Sequence, residues 1–179
     1  MFSHRSFLSS AIAAVVVLAL TAAAAAGVSP TRISTYHPTG LRGSTLHGSC
    51  WTSSNAVSRS DAYRCMVGNN IYDPCFRLGS NRVGCPSDLA ANRGVFIDVP
   101  NFPSNPAQTP SAWAMELSNG LSCSVITGAG ISGYPFGCGG SMTCSTPRRG
   151  SPRYTAMCGN ANGGRVRSPR AYNVIQIWM

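Results

Sequence analysis

The sequence contains no lysine. Its 14 basic residues are all arginine, and they face only five acids, Asp61, Asp73, Asp88, Asp98 and Glu116, for a formal net charge of +9. No acid follows Glu116, and histidine is confined to His4, His37 and His47. No apolar run long enough to span a bilayer occurs after Ala26, which excludes a transmembrane helix from the remainder of the chain. Helical periodicity is nearly absent from the same region, which argues against an α or α/β domain.

These absences dispose of several motifs that otherwise look chemical. Thr127 to Gly133 satisfies the pattern G-x-G-x-x-G behind a candidate strand. That fingerprint works only where a helix aims its amides at a pyrophosphate and an acid about 20 residues on holds the ribose. Pro135 and Gly137 forbid the helix, and the acid is missing. Gly48-Ser49-Cys50-Trp51 looks locally like the nucleophile segment of papain-type proteases, but a cysteine nucleophile needs an imidazole to take its proton. That family places its histidine far downstream, whereas His37 and His47 both precede Cys50. Cys50 is therefore read as a structural half-cystine. The scattered histidines and acids offer no i, i+4 ligand pair, so neither a metal ion nor a cofactor is expected.

What is present begins with an export signal. His4 and Arg5 precede an apolar run from Phe7 to Leu20, and Ala24-Ala25-Ala26 supplies a small-residue cleavage site. Residues 1–26 are read as a signal peptide cleaved after Ala26; the competing reading is an uncleaved anchor, since Phe7 to Ala26 can cross a bilayer as a helix. Residues 27–46 carry Pro30, Pro38, Gly40, Gly43 and many hydroxyl residues without periodicity, and read as a flexible leader. Residues 47–179 read as one domain, without an internal repeat, and the mature chain of about 150 residues is large enough to bury a real core.

Eight cysteines, Cys50, Cys65, Cys75, Cys85, Cys123, Cys138, Cys144 and Cys158, follow the signal. An even count behind an export signal reads as disulfides. Short loops cost the least chain entropy to close. That argument favours Cys65 with Cys75, Cys123 with Cys138, Cys144 with Cys158, and Cys50 with Cys85 around the first pair.

A short helix is expected from Ser58 to Met66, with Asp61 in its first turn. Strands are expected at Val95 to Val99, Tyr154 to Cys158 and Tyr172 to Met179. Trp113 to Leu117 and Leu121 to Thr127 flank Ser118-Asn119-Gly120 as a hairpin. Most of 86–112 reads as a long loop around Pro100, Pro103, Pro106 and Pro110. The fold class is thus mainly β: a small antiparallel domain with long loops and one or two short helices, stapled by disulfides.

Loss of Arg5 with the signal takes the charge from +9 to +8. Such a chain is drawn to polyanions, although an arginine-favouring codon bias would give the same composition. The binding candidates are Arg148, Arg149, Arg153, Arg165, Arg167 and Arg170, which a hairpin from Tyr154 would gather near one end, with Tyr154 and Tyr172 placed to stack. A rival set is the acids Asp61, Asp73, Asp98 and Glu116, which would serve a hydrolase if they met in one cleft.

Gly48-x-Cys50-Trp51, then Arg59-x-Asp61-Ala62-x-Arg64-Cys65, then Gly68-Asn69-x-Ile71-x-Asp73-Pro74-Cys75-Phe76, resembles an uncharacterised group of small exported bacterial proteins. Asn119-Gly120 ahead of Cys123, Thr127-Gly128-Ala129, an aromatic before Cys138 and the terminal strand with Trp178 extend the likeness across residues 48–179, with Cys144 and Cys158 as an addition. The resemblance implies a bacterial domain that is secreted or faces the envelope, and it carries no activity and no catalytic residue. Together these readings lead to the expectation of a non-enzymatic secreted or envelope-associated domain that binds an anionic polymer and no specific nucleic acid. The alternative is a small extracellular hydrolase or toxin acting through carboxylates.

Overall fold

The computed structural model describes residues 29–106 and 108–179, so the expected signal peptide lies outside the described residues. Thirteen strands and no helix occur among them. In chain order the strands are β1 (Arg32–Ser34), β2 (Thr45–His47), β3 (Ser49–Ser53), β4 (Ala62–Val67), β5 (Asn70–Arg77), β6 (Arg82–Asp88), β7 (Arg93–Asp98), β8 (Ala114–Leu117), β9 (Ser122–Val125), β10 (Phe136–Gly137), β11 (Met142–Cys144), β12 (Tyr154–Asn162) and β13 (Arg165–Trp178).

Strands β3 to β7 run as an antiparallel meander, and β2 pairs in parallel with β7. Only Gly48 separates β2 from β3, so one run of chain borders both β7 and β4 and curls the sheet into a half-barrel. Gly48 is obligatory there, because a Cβ would stand 2.3 Å from the carbonyl oxygen of Met66 and 3.0 Å from Ile97 Cγ2. Cys50, Tyr63, Cys65, Cys75, Val83, Cys85, Ile97 and Val99 fill the interior.

Strands β8 to β13 form a second meander, of six strands. With an even number the last strand returns antiparallel to the first, and β13 pairs with β8 from Val174 to Trp178, which closes a barrel. Its core holds Met115, Leu117, Cys123, Phe136, Cys138, Cys144, Ala156, Cys158, Val174 and Ile177. β1 lies parallel to the end of β13, continuing the edge that β12 leaves.

The two barrels meet over a third cluster of Tyr36, Val57, Ala62, Phe76, Trp113 and Ala114. Three rings pack mutually there: Tyr36 lies 5.1 Å from Phe76 and 5.4 Å from Trp113 between ring centroids, and Phe76 lies 5.4 Å from Trp113.

Four disulfides join Cys50 to Cys65, Cys75 to Cys85, Cys123 to Cys138 and Cys144 to Cys158. The last two match the expectation; the first two correct it. Strand register decides the outcome. Cys65 faces Cys50 across the β3–β4 ladder, and a bulge in the β4–β5 ladder sets Cys65 against Tyr72 and Cys75 against Tyr63. Phe76 pairs with Gly84, which leaves Cys75 opposite Cys85. Every bridge therefore links directly opposed residues, with Cα atoms 3.9 to 4.1 Å apart. The same scheme occurs in both barrels: β3 to β4 and β5 to β6, then β9 to the residue after β10 and β11 to β12. Four such bridges fit a non-cytoplasmic protein. No helix among the described residues is long and apolar enough to cross a membrane.

Three further corrections concern local structure. The expected helix over Ser58 to Met66 is instead a short approach followed by most of β4, which is held on both sides by β3 and β5. Asp61 serves Arg59 rather than a helix terminus. From residue 29 onward the expected leader takes part in the fold: it contributes β1 and β2, and it buries Tyr36 and Leu41. The long loop shortens to the stretch between β7 and β8. Asn105 Nδ2 donates to the carbonyls of Arg59 and Ala62, and Phe102 packs on Tyr63, so this stretch is tied to the first barrel.

Candidate functional site

Charge is divided unevenly between the barrels. Asp61, Asp73, Asp88 and Asp98 all lie in the half-barrel, and each has an arginine within salt-bridge distance: Arg59, Arg64, Arg93 and Arg82 respectively. The closed barrel carries six arginines and, as its only acid, Glu116. Among the described residues none of the six makes a salt bridge.

The β12–β13 hairpin spreads these arginines along its length, which corrects the expectation of a single cluster at one end. Arg165 pairs with Asn162 next to the hairpin turn, Arg167 with Asn160 and Arg170 with Cys158. Arg148 bridges to Thr155 near the other end, and Arg153 donates Nε to the carbonyl of Ser29. Arg149 follows on the same exposed loop.

Each end has its own hollow. Arg167 and Arg170, with Asn160, Ser168 and Tyr172, line one of about 220 Å³. A register shift between Cys158 and Asn160 shapes its floor, and Ser168 takes a left-handed backbone (φ 46°). Gly159 has no room for a side chain, since a Cβ would approach the Arg167 carbonyl oxygen to 2.5 Å. Arg153 and Arg32, with Ser29, Pro30 and Ile175, line the other, of about 290 Å³. Arg32 was invisible to sequence reasoning, because only the parallel pairing of β1 with β13 brings it there. The two hollows are separated by about six residues of extended strand, roughly 20 Å.

The acids proposed for a hydrolase do not converge. Asp61 is fixed by Arg59, and Asp98 by Arg82, whose hydrogen bond holds the Asp98 carboxyl below its usual range. Asp73 accepts from Ser54 Oγ at 2.5 Å and from the Asn55 amide. Glu116 belongs to the other barrel, on β8. Asp88, outside that set, is likewise held low, chiefly by the amide of Ala91.

A larger cavity, of about 310 Å³, lies between the barrels. Asp73, Ser87, Asp88 and Leu89 line it from the half-barrel, and Trp113, Ser122 and the Cys123–Cys138 bridge from the closed one. Sγ of Cys138 stands 3.0 Å from Sγ of Cys144, so two disulfides touch in the closed barrel's core. The sulfurs of Cys123, Cys138 and Cys144 gather within 4.8 Å of one another, a spacing that suits a metal. All three are consumed in disulfides, and metal ligation by cysteine requires the thiolate.

The fold and these surfaces define a two-barrel, disulfide-stapled β protein with one strongly basic barrel. No protein-family model, curated protein or solved structure matches the chain.

Proposed function

We propose that the protein acts outside the cytoplasm, secreted from or associated with a bacterial envelope, as a non-enzymatic binder of an anionic polymer. The observation that carries this reading is the charge asymmetry: six arginines of the closed barrel have no carboxylate partner among the described residues. Guanidinium groups free of acids are available to phosphate or carboxylate oxygens through paired hydrogen bonds. Two basic hollows roughly 20 Å apart favour a polymer over a lone anion, because a chain spanning both gains from effective concentration.

The test is retention of the oxidised protein on immobilised teichoic-type polymer and on heparin across a salt gradient. Retention on the wall polymer should fall steeply with salt. Reversing Arg167 and Arg170 to Glu, or Arg148, Arg149 and Arg153 to Glu, should each weaken it, and the combination should abolish it. Equal, weak retention on both polyanions, unchanged by the reversals, would reduce the arginines to surface charge.

A further inference from the structure

Arg167 and Arg170 stand three apart on β13, a spacing that sends side chains to opposite faces of a regular strand. The register shift cancels that alternation. Arg167 pairs with Asn160 and Arg170 with Cys158, so three steps along β13 run against two along β12. Directly opposed residues share a face, and Asn160 and Cys158, two apart, share theirs. Both arginines therefore leave β13 on one side, and both line the hollow of about 220 Å³. Ser168 makes the shift possible. Among the described residues two non-glycines take a positive φ, Asn92 and Ser168. Asparagine tolerates that region, whereas serine is an uncommon choice where glycine would relieve the strain. A strained non-glycine is kept where its side chain has a use, and Ser168 lines the same hollow.

The lining fixes what that use is. Asn160 Oδ1 accepts from Ser141 Oγ at 3.4 Å, which leaves the amide nitrogen to donate. Two guanidinium forks, a hydroxyl and an amide together supply about six donors. No carboxylate lines the hollow to take them. A ligand carboxylate or a phosphodiester meets them with two charged oxygens. A phosphomonoester brings three, with a charge of about −1.5 to −2 at pH 7 that two guanidiniums balance. Size agrees, because cavities that hold whole drug-sized molecules run to about 300–1,000 Å³ and this one suits a single group on a larger molecule.

From these constraints we infer that the hollow on β13 takes one phosphomonoester group, its three terminal oxygens shared among the Arg167 and Arg170 guanidiniums, the Ser168 hydroxyl and the Asn160 amide. The inference rests on the polymer reading for the source of that group: it is a terminal or branch phosphate carried by the anionic polymer, rather than a phosphodiester of its backbone. The hollow at Arg32 and Arg153 has no such donor set and contributes charge alone.

Amide NMR tests it on the intact oxidised chain. The ¹⁵N-labelled protein is titrated at pH 8 and constant ionic strength with methyl phosphate, dimethyl phosphate and acetate, and the Gly159, Asn160 and Ser168 resonances are followed. Methyl phosphate should move them saturably and bind at least about tenfold more tightly than the other two. Arg170→Lys should weaken it about tenfold, because an ammonium cannot present a fork. Ser168→Gly should weaken it severalfold yet unfold no earlier in urea, since glycine removes the backbone strain along with the hydroxyl. Phosphomonoesterase treatment of the wall polymer, which leaves its diesters intact, should lower retention of the protein. Methyl phosphate binding within about threefold of dimethyl phosphate or acetate overturns the inference. So does methyl phosphate binding that is unchanged in both variants, or retention that survives the phosphomonoesterase. Retention on the polymer alongside any of these results leaves the polymer reading standing. Selective methyl phosphate binding without retention on any polymer keeps the subsite and overturns the polymer reading instead.

Discussion

Arg59, on the approach to the half-barrel's β4, donates Nη1 at 3.0 Å to the carbonyl of Met179, the residue that follows the closed barrel's longest strand. The same nitrogen reaches the carbonyl of Tyr36 at 2.7 Å, and Nε and Nη2 take both oxygens of Asp61. Its guanidinium carbon lies 4.7 Å from the centre of the Phe76 ring. One side chain, 6% exposed, therefore ties both barrels and the first strand segment together.

Replacing Arg59 with Leu should be among the most destabilising changes outside the cores. It leaves two carbonyls and Asp61 without their donor, a loss of roughly 2–4 kcal/mol. Arg59→Lys should recover only part of it, because an ammonium cannot reproduce the planar fork. Urea unfolding followed by tryptophan fluorescence gives both values. A cost under about 0.5 kcal/mol for Arg59→Leu would mean that the hydrophobic joint alone holds the barrels together.

Non-reducing peptide mapping should recover Cys50–Cys65 and Cys75–Cys85 rather than a nested arrangement. Replacing Cys50 and Cys65 together by Ser opens a loop with a sequence separation of 15 residues. In the chain-entropy account this costs about 3 kcal/mol. The Cys123–Cys138 loop has the same separation and should cost a similar amount, with the other barrel's bridges intact on the map.

Local signals in the sequence are legible where a turn governs the structure. Asn119-Gly120 specified the β8–β9 hairpin, with Gly120 in the left-handed region, and the terminal strand was recognised from its apolar residues. Pairings set by register were not legible. Cys65 is as near in sequence to Cys75 as Cys75 is to Cys85, and a bulge in β4–β5 decides between them. The helix expected at Ser58 to Met66 rested on Asp61 as a terminal charge, and Arg59 claims that charge through contacts made across the barrel joint. Tyr36 and Arg32 lie in a stretch rich in glycine, proline and hydroxyl residues, where nothing marks them as core and site. The basic character of the site was visible in composition, but its division into two hollows follows from β12–β13 register.

Gly48 makes the steric argument for the half-barrel testable. An alanine there must displace the Met66 backbone as well as the Val67 and Ile97 side chains. Overpacking of this kind costs about 1–3 kcal/mol. Gly68, with open space around it and a left-handed φ of 57°, is a control in which any cost comes from backbone strain alone. Thermal unfolding of Gly48→Ala and Gly68→Ala, with amide exchange at β2 and β3, should localise the first lesion to the junction of β7 and β4. Uniform loss of protection would instead place the damage in the unfolded state.

Tyr36 gives the pH dependence. Burial pushes its hydroxyl up to about 12 from an ordinary value of 10.0, and the hydroxyl has no hydrogen-bond partner. A raised folded-state value means that the unfolded chain loses its proton first as pH rises. The contribution to stability is therefore fully present below pH 10 and is lost progressively between pH 10 and about 12. One of the six tyrosines should ionise late in an ultraviolet absorbance titration, and unfolding should become easier over the same interval. Tyr36→Phe keeps the ring against Phe76 and Trp113, removes the orphan hydroxyl, and should be neutral or slightly stabilising near pH 7. The late titration and the share of alkaline sensitivity that belongs to this group should disappear with it. If the late tyrosine persists in Tyr36→Phe, the group that titrates late is another tyrosine, and the barrel joint is not what senses alkali.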